Sequence, residues 1–274
     1  MTDPRVSFAP GVDASAALAQ ALEFLRRDGV VVLDDLVDPA LLARCRDEFA
    51  LSHPDMGAAD RARCYGPYEG RHATALTVER GLANRDILLP KPVSHLAKAL
   101  LSGEYKVDSL GLLVSTPGAP DQVPHHDASL YPDTELDRLL PPFALAFSLP
   151  LITMDTTSGT TAFWRGSHLA GPPPAGRPHD FQPVVQPGSA LLWDVRIHHA
   201  GGANRGTAPR PIIYSILSRE WWVEVQPPEL TGFEKLQVAR DVHAAFRPRW
   251  KSRFSRAKLV DPAPAATRME TEHA

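Results

Sequence analysis

Apolar residues recur three and four positions apart from Ala17 to Leu25 in "DASAALAQALEFLRRD", and the pattern stops at Gly29. That spacing predicts a helix over residues 13–28 with one apolar face. The run "VVVLDDL" that follows is β-branched and of strand length. "DPALLARCRDEFA" predicts a second helix, capped by Asp38 with Pro39 in its first turn, so that helices flank a strand within residues 13–50. Residues 52–75 are poor in apolar side chains and predict a long loop of the kind that covers a site. Beyond residue 105 the texture changes. "VDSLGLLVST", "FALAFSLPLIT", "TTAFW", "FQPVVQ", "SALLWDV" and "PIIYSILSREWWVEV" are short apolar runs punctuated by Pro and Gly. Six or more such strands without intervening helices predict a sandwich or barrel over about 105–225, not a parallel α/β sheet. A basic C-terminal helix is expected at about 234–258 and a disordered tail at 259–274. The expectation is one domain, residues 1–258, mainly β with flanking helices.

Composition removes several function classes. Net charge is -3 and the basic residues are scattered, so neither a nucleic-acid groove nor a membrane-binding patch is expected. No run of 18 apolar residues occurs, and the N-terminus lacks the basic-then-apolar order of a signal peptide. Cys45 and Cys64 are too few for a disulfide framework and read as free thiols. A soluble cytoplasmic protein is expected.

Two histidine pairs carry the candidate chemistry, in "VPHHDASLYP" and "LLWDVRIHHAGG". Side chains alternate along a strand, so His125 and Asp127 share a face and His126 points away. By the same parity Leu191, Trp193, Val195 and Ile197 share a face with His199, whereas Leu192, Asp194 and Arg196 share one with His198. The apolar, inward face therefore selects His199. His125, Asp127 and His199 make two imidazoles and a carboxylate, the donor set of ferrous oxygenases with open coordination positions. Zinc accepts the same donors, which leaves a zinc hydrolase or isomerase as the alternative at this point.

The surroundings of those residues resemble the phytanoyl-CoA dioxygenase family of Fe(II)/2-oxoglutarate oxygenases. Four stretches carry the resemblance: "RRDGVVVLDDLVDPALLARCRDEF", "PGAPDQVPHHD", "SGTTAFWRGSHLAG" and "HAGGANRGTAPRPIIYSI". In the third, Ser158 and Arg165 stand where the family has Asn and Pro. In the last, the family's Asn and Arg offsets fall on Asn204 and Arg210 when counted from His199, and not from His198. The resemblance spans roughly residues 17–222. It implies a double-stranded β-helix (jelly roll), with Fe(II) as cofactor and 2-oxoglutarate and O2 as cosubstrates. It also implies that Arg210 binds the far carboxylate of 2-oxoglutarate, with hydrogen bonds from Gln122 and Thr161, and that Asn204 ties the loop after His199. Retention of Asp127 implies hydroxylation, desaturation or epoxidation of a small molecule, and not halogenation.

Substrate is expected to enter past residues 52–92 and 128–141, with Tyr131, Tyr65 and Tyr68 as contacts and residues 52–75 as a lid. "DTELDR" offers no basic mouth for a CoA thioester, so a biosynthetic metabolite is the expected substrate. For Phe143, Trp164, Trp193, Trp221 and Trp222, core packing is the expected role.

Overall fold

The computed structural model describes residues 2–52, 65–132, 134–224 and 235–262. Residues 53–64 of the expected lid, with Cys64, and residues 263–274 of the expected tail lie outside the described residues, whereas 259 and 260, expected in that tail, end a strand.

The chain opens with β1 (Arg5–Ser7), α1 (Ala14–Arg27), β2 (Val30–Asp34) and α2 (Pro39–Ser52). Asp13 caps α1 through the backbone N–H groups of Ser15 and Ala16. Gly29 leaves it at φ 79°, and a Cβ there would lie 2.6 Å from the His168 ring, so only glycine fits. Residues 65–75 are not loop: β3 (Tyr65–Tyr68) and β4 (Arg71–Ala75) form an antiparallel hairpin. Alternating small and polar residues pair along a sheet edge without the apolar run that marks a strand in sequence. Next come β5 (Thr77–Val78), α3 (Arg85–Leu88) and α4 (Lys91–Leu101), the last unforeseen although it buries Val93, Leu96, Ala97 and Leu100 at helical spacing.

The strand-rich half contains β6 (Tyr105–Ser115), α5 (Glu135–Leu139), β7 (Ala144–Pro150), β8 (Thr161–Phe163), α6 (Ser167–Ala170), β9 (Ala190–Asp194), β10 (His199–Gly201) and β11 (Arg210–Arg219). The chain then forms β12 (Gln237–Ala239), α7 (Arg240–Ala245), α8 (Pro248–Arg253) and β13 (Lys258–Val260). The single C-terminal helix expected there is thus two short helices between strands. Pro248 interrupts the helical run because it has no N–H to continue it.

Eight strands form one open sheet in the order β1-β2-β9-β7-β11-β6-β4-β3. A minor layer faces it: β10 pairs with β8, and isolated bridges add His125 beside His199 and Phe181 beside Phe163. The architecture is a two-layer jelly roll, and its sheet does not close into a barrel. One face of the major sheet packs Leu112, Phe147, Leu192 and Ile213 against apolar residues of α1 and α4. The other packs Val32, Ala146, Leu191 and Ile216 against Phe163, Phe181 and Met154 of the minor layer. Among the described residues no helix is long and apolar enough to cross a membrane.

Candidate metal centre

The path from β9 to β10 sets the centre. The parity reading treats residues 191–199 as one strand, but the strand ends at Asp194 and the chain turns from the major to the minor layer. Asp194 and Arg196 build that turn. The Asp194 carboxylate accepts from the Arg196 backbone N–H at 3.0 Å and from its guanidinium at 2.9 and 2.7 Å. Arg196 also donates to the carbonyls of Asp137 and Leu140. Val195 and Ile197 remain fully buried between the layers, and His199 emerges on their side at 5% exposure.

His125 and His199 exchange both backbone hydrogen bonds, at 3.0 and 2.8 Å, which sets their rings side by side with centroids 4.5 Å apart. His126 and His198 face one another at 5.3 Å and line a separate polar cavity with Ser129 and His168. Each inner histidine turns Nδ1 to the carbonyl two residues upstream: His125 to Val123 at 2.9 Å and His199 to Ile197 at 3.0 Å. Nδ1 therefore carries the proton, which leaves Nε2 as the nitrogen with the lone pair a metal would need.

Asp127 completes the cluster. One ligand atom from each of His125, Asp127 and His199 lies within 4.8 Å of the others. Asp127 Oδ2 accepts the Trp193 indole N–H at 3.0 Å, and Oδ1 faces His199 Nε2 at 3.4 Å. Burial pushes the Asp127 carboxyl up, but His199, His125 and the Trp193 N–H outweigh it and hold it below the usual carboxylate range. Burial pushes His199 down, and Asp127 lifts it above the ordinary imidazole value. A divalent cation can replace that shared proton, so the donor set fits iron.

The cluster opens on a cavity of about 280 Å³. Arg71, Ser115 and Arg210 form a row across its wall, for Ser115 is the register partner of both arginines on β4 and β11. Arg210 is 5% exposed, its Nε and the Ser115 hydroxyl have no hydrogen-bond partner among the described residues, and its Nη1 lies 3.5 Å from Met154 Sδ. Burial and then the charge of Arg71 push its guanidinium down to about 10. A buried cation of this kind calls for a carboxylate, so the cavity fits a dicarboxylate lying between the arginines and the metal donors.

Thr161 and Gln122 line the same cavity. Gln122 Oε1 accepts from the Gly201 N–H at 2.7 Å. A Cβ at Gly201 would lie 2.5 Å from that oxygen, so any larger residue there would displace the Gln122 side chain. Asn204 ties the following loop by donating to the carbonyls of Ser115 and Ala208. Tyr131 is half exposed and is not among the residues lining the cavity. The side chains of Tyr65 and Tyr68 lie outside the described residues. Of the aromatic residues singled out above, Trp193 lines the cavity, Phe143 and Trp164 are buried in packing, and Trp221 is 64% exposed. Arg71, within the entrance expected at 52–92, lines the cavity, and so do Ser115, Tyr214 and Glu224, which carry no signal in the sequence.

The model of a family described as phytanoyl-CoA dioxygenase (PhyH) matches residues 25–212. The dioxygenase trt7 of Aspergillus terreus is 27% identical over 194 residues, covering 68% of each chain. The iron/alpha-ketoglutarate-dependent dioxygenase ausU of Aspergillus calidoustus is 28% identical over 66% of this chain and 64% of its own. In fold, the chain is similar to SnoN, an epimerase solved with Fe3+, alpha ketoglutarate and nogalamycin RO, at 20% identity. The match covers 75% of this chain and 84% of that one, with a TM-score of 0.56.

Proposed function

The chain belongs to the phytanoyl-CoA dioxygenase family, and on that premise we propose that His125, Asp127 and His199 ligate its iron while Arg210 binds the far carboxylate of 2-oxoglutarate. It is a non-haem iron, 2-oxoglutarate-dependent dioxygenase. When bound, Fe(II) and 2-oxoglutarate would supply the electrons that activate O2, the oxidant, with 2-oxoglutarate oxidised to succinate and CO2. The chain's own residues do the rest. Trp193 holds one Asp127 oxygen so that the other is presented towards His199 Nε2. Ser115 shares the carboxylate with Arg210, and Gln122 and Thr161 add hydrogen bonds to the cosubstrate. Apolar walls from Leu113, Trp193 and Ile212 exclude water around it.

The observation that carries this reading is the buried Arg210 guanidinium, whose Nε has no hydrogen-bond partner among the described residues, in the same cavity as His125, Asp127 and His199. A zinc hydrolase would leave that buried cation without a purpose. SnoN is a protein of nogalamycin biosynthesis, and the likeness supports a small biosynthetic molecule as substrate. Anaerobic titration of the Fe(II) protein with 2-oxoglutarate tests the assignment through the absorption of the chelate. Wild type should develop the band at one equivalent, and Asp127→Ala should not.

A further inference from the structure

The cavity has two chemically different ends. Arg71 and Arg210 influence one another at one of them. Tyr214 shares the face of Arg210 on β11 but lies four residues on, roughly 13 Å along a strand. There it feels the charges of both Asp127 and Glu224. Glu224 lines the same cavity and is tied through its backbone N–H to Asp108, seven residues along β6 from Ser115 and roughly 23 Å by strand rise, which sets it away from the arginine row.

Glu224 is held there by a built network. Its backbone N–H donates to Asp108 Oδ2 at 3.1 Å, and Asp108 is in turn paired with Arg256 at 2.5 Å. Its Oε2 lies 3.1 Å from Lys235 Nζ, and the same ammonium donates to the Glu224 carbonyl. Neither the metal donors nor the carboxylate-binding row uses this side chain. Between it and the arginines the walls are largely apolar, from Ala73, Leu113, Trp193 and Ile212.

A carboxylate whose counter-charge is already supplied is an acceptor for a neutral donor. An ammonium group would add a third cation to a cavity already lined by Arg71 and Arg210, and a carboxylate group would be repelled. We propose that Glu224 is a substrate-binding residue that accepts a hydrogen bond from a hydroxyl group on an uncharged, otherwise apolar substrate. This deepens the enzyme reading above and rests on it.

The test uses the full chain loaded with Zn(II) and 2-oxoglutarate, which binds without turning over. Cyclohexanol, cyclohexylamine and cyclohexanecarboxylate are titrated as probes of one ring size, followed by ligand-observed NMR. Wild type should bind the alcohol about tenfold more tightly than either charged ring. Glu224→Gln should lose about tenfold in cyclohexanol affinity, the difference between a charged and a neutral acceptor, while 2-oxoglutarate affinity stays unchanged. Lys235→Met, which leaves the carboxylate uncompensated, should turn the preference towards cyclohexylamine. Unchanged alcohol affinity in Glu224→Gln, or a wild-type preference for a charged ring, overturns the proposal. Failure of wild type to bind 2-oxoglutarate at all would instead overturn the enzyme reading beneath it.

Discussion

Replacing Arg210 by Met should make the protein more stable and blind to its cosubstrate at once. The guanidinium falls from the ordinary arginine range to about 10, first because it is buried and then because Arg71 is near. That lowering corresponds to about 3 kcal/mol by which the folded protein resists the charge. The folded value lies below the unfolded one for a cation, so the penalty is fully present below the folded value and fades only as pH rises above it. At pH 7.5 both states carry the charge, and Met, beside Met154, removes the whole penalty. At about 2–4 °C per kcal/mol, the melting temperature without 2-oxoglutarate should rise by several degrees. The same substitution removes the partner of a buried carboxylate and should weaken 2-oxoglutarate by about 2–5 kcal/mol. Thermal unfolding of the Zn(II) protein reads both effects. Wild type at a hundredfold excess of 2-oxoglutarate over its Kd gains about 2.7 kcal/mol, and Arg210→Met should gain less than about 1 kcal/mol at that concentration. The reasoning is refuted if Arg210→Met melts below wild type without 2-oxoglutarate, or if it keeps the wild-type shift with it.

Trp193→Phe removes the N–H that holds Asp127 Oδ2, so Fe(II) affinity, measured by competition with a chromogenic chelator, should fall about 10–100-fold without loss of fold. Arg196→Ala strands the buried Asp194 carboxylate and should cost about 3–5 kcal/mol in urea unfolding; a loss under 1 kcal/mol would deny the turn its role. Burial pushes the Cys45 thiol up to about 11, so a Cys64→Ser protein should resist thiol labelling at pH 8 until denatured. Tyr65→Ala and Tyr68→Ala should leave 2-oxoglutarate affinity at the wild-type level while weakening substrate-coupled succinate formation; unchanged coupling in both removes them from the entrance.

What was legible in the sequence followed from periodicity and local chemistry. The opening helices show it best, because Asp13, Asp38 and Gly29 mark ends that any chain with those residues would form. The edge hairpin at residues 65–75 was illegible because its pairing, and not an apolar run, makes it strand. The inner and outer histidines illustrate a subtler case. Alternation separates them along an imagined continuous strand, whereas the molecule separates them by a turn braced through Asp194 and Arg196. Ser115 and Arg71 carry no local signal of their place. Their alignment with Arg210 arises from pairing between strands distant in sequence, which parity within one strand does not encode.

The central claim is that His125, Asp127 and His199 hold an iron that couples O2 to 2-oxoglutarate. Succinate formed from 2-oxoglutarate by purified Fe(II) protein, with and without O2, tests it most directly, with His198→Ala and His199→Ala side by side. O2-dependent succinate is expected in wild type and in His198→Ala, and none in His199→Ala. Succinate formation that survives in His199→Ala, or disappears equally in both variants, would contradict it.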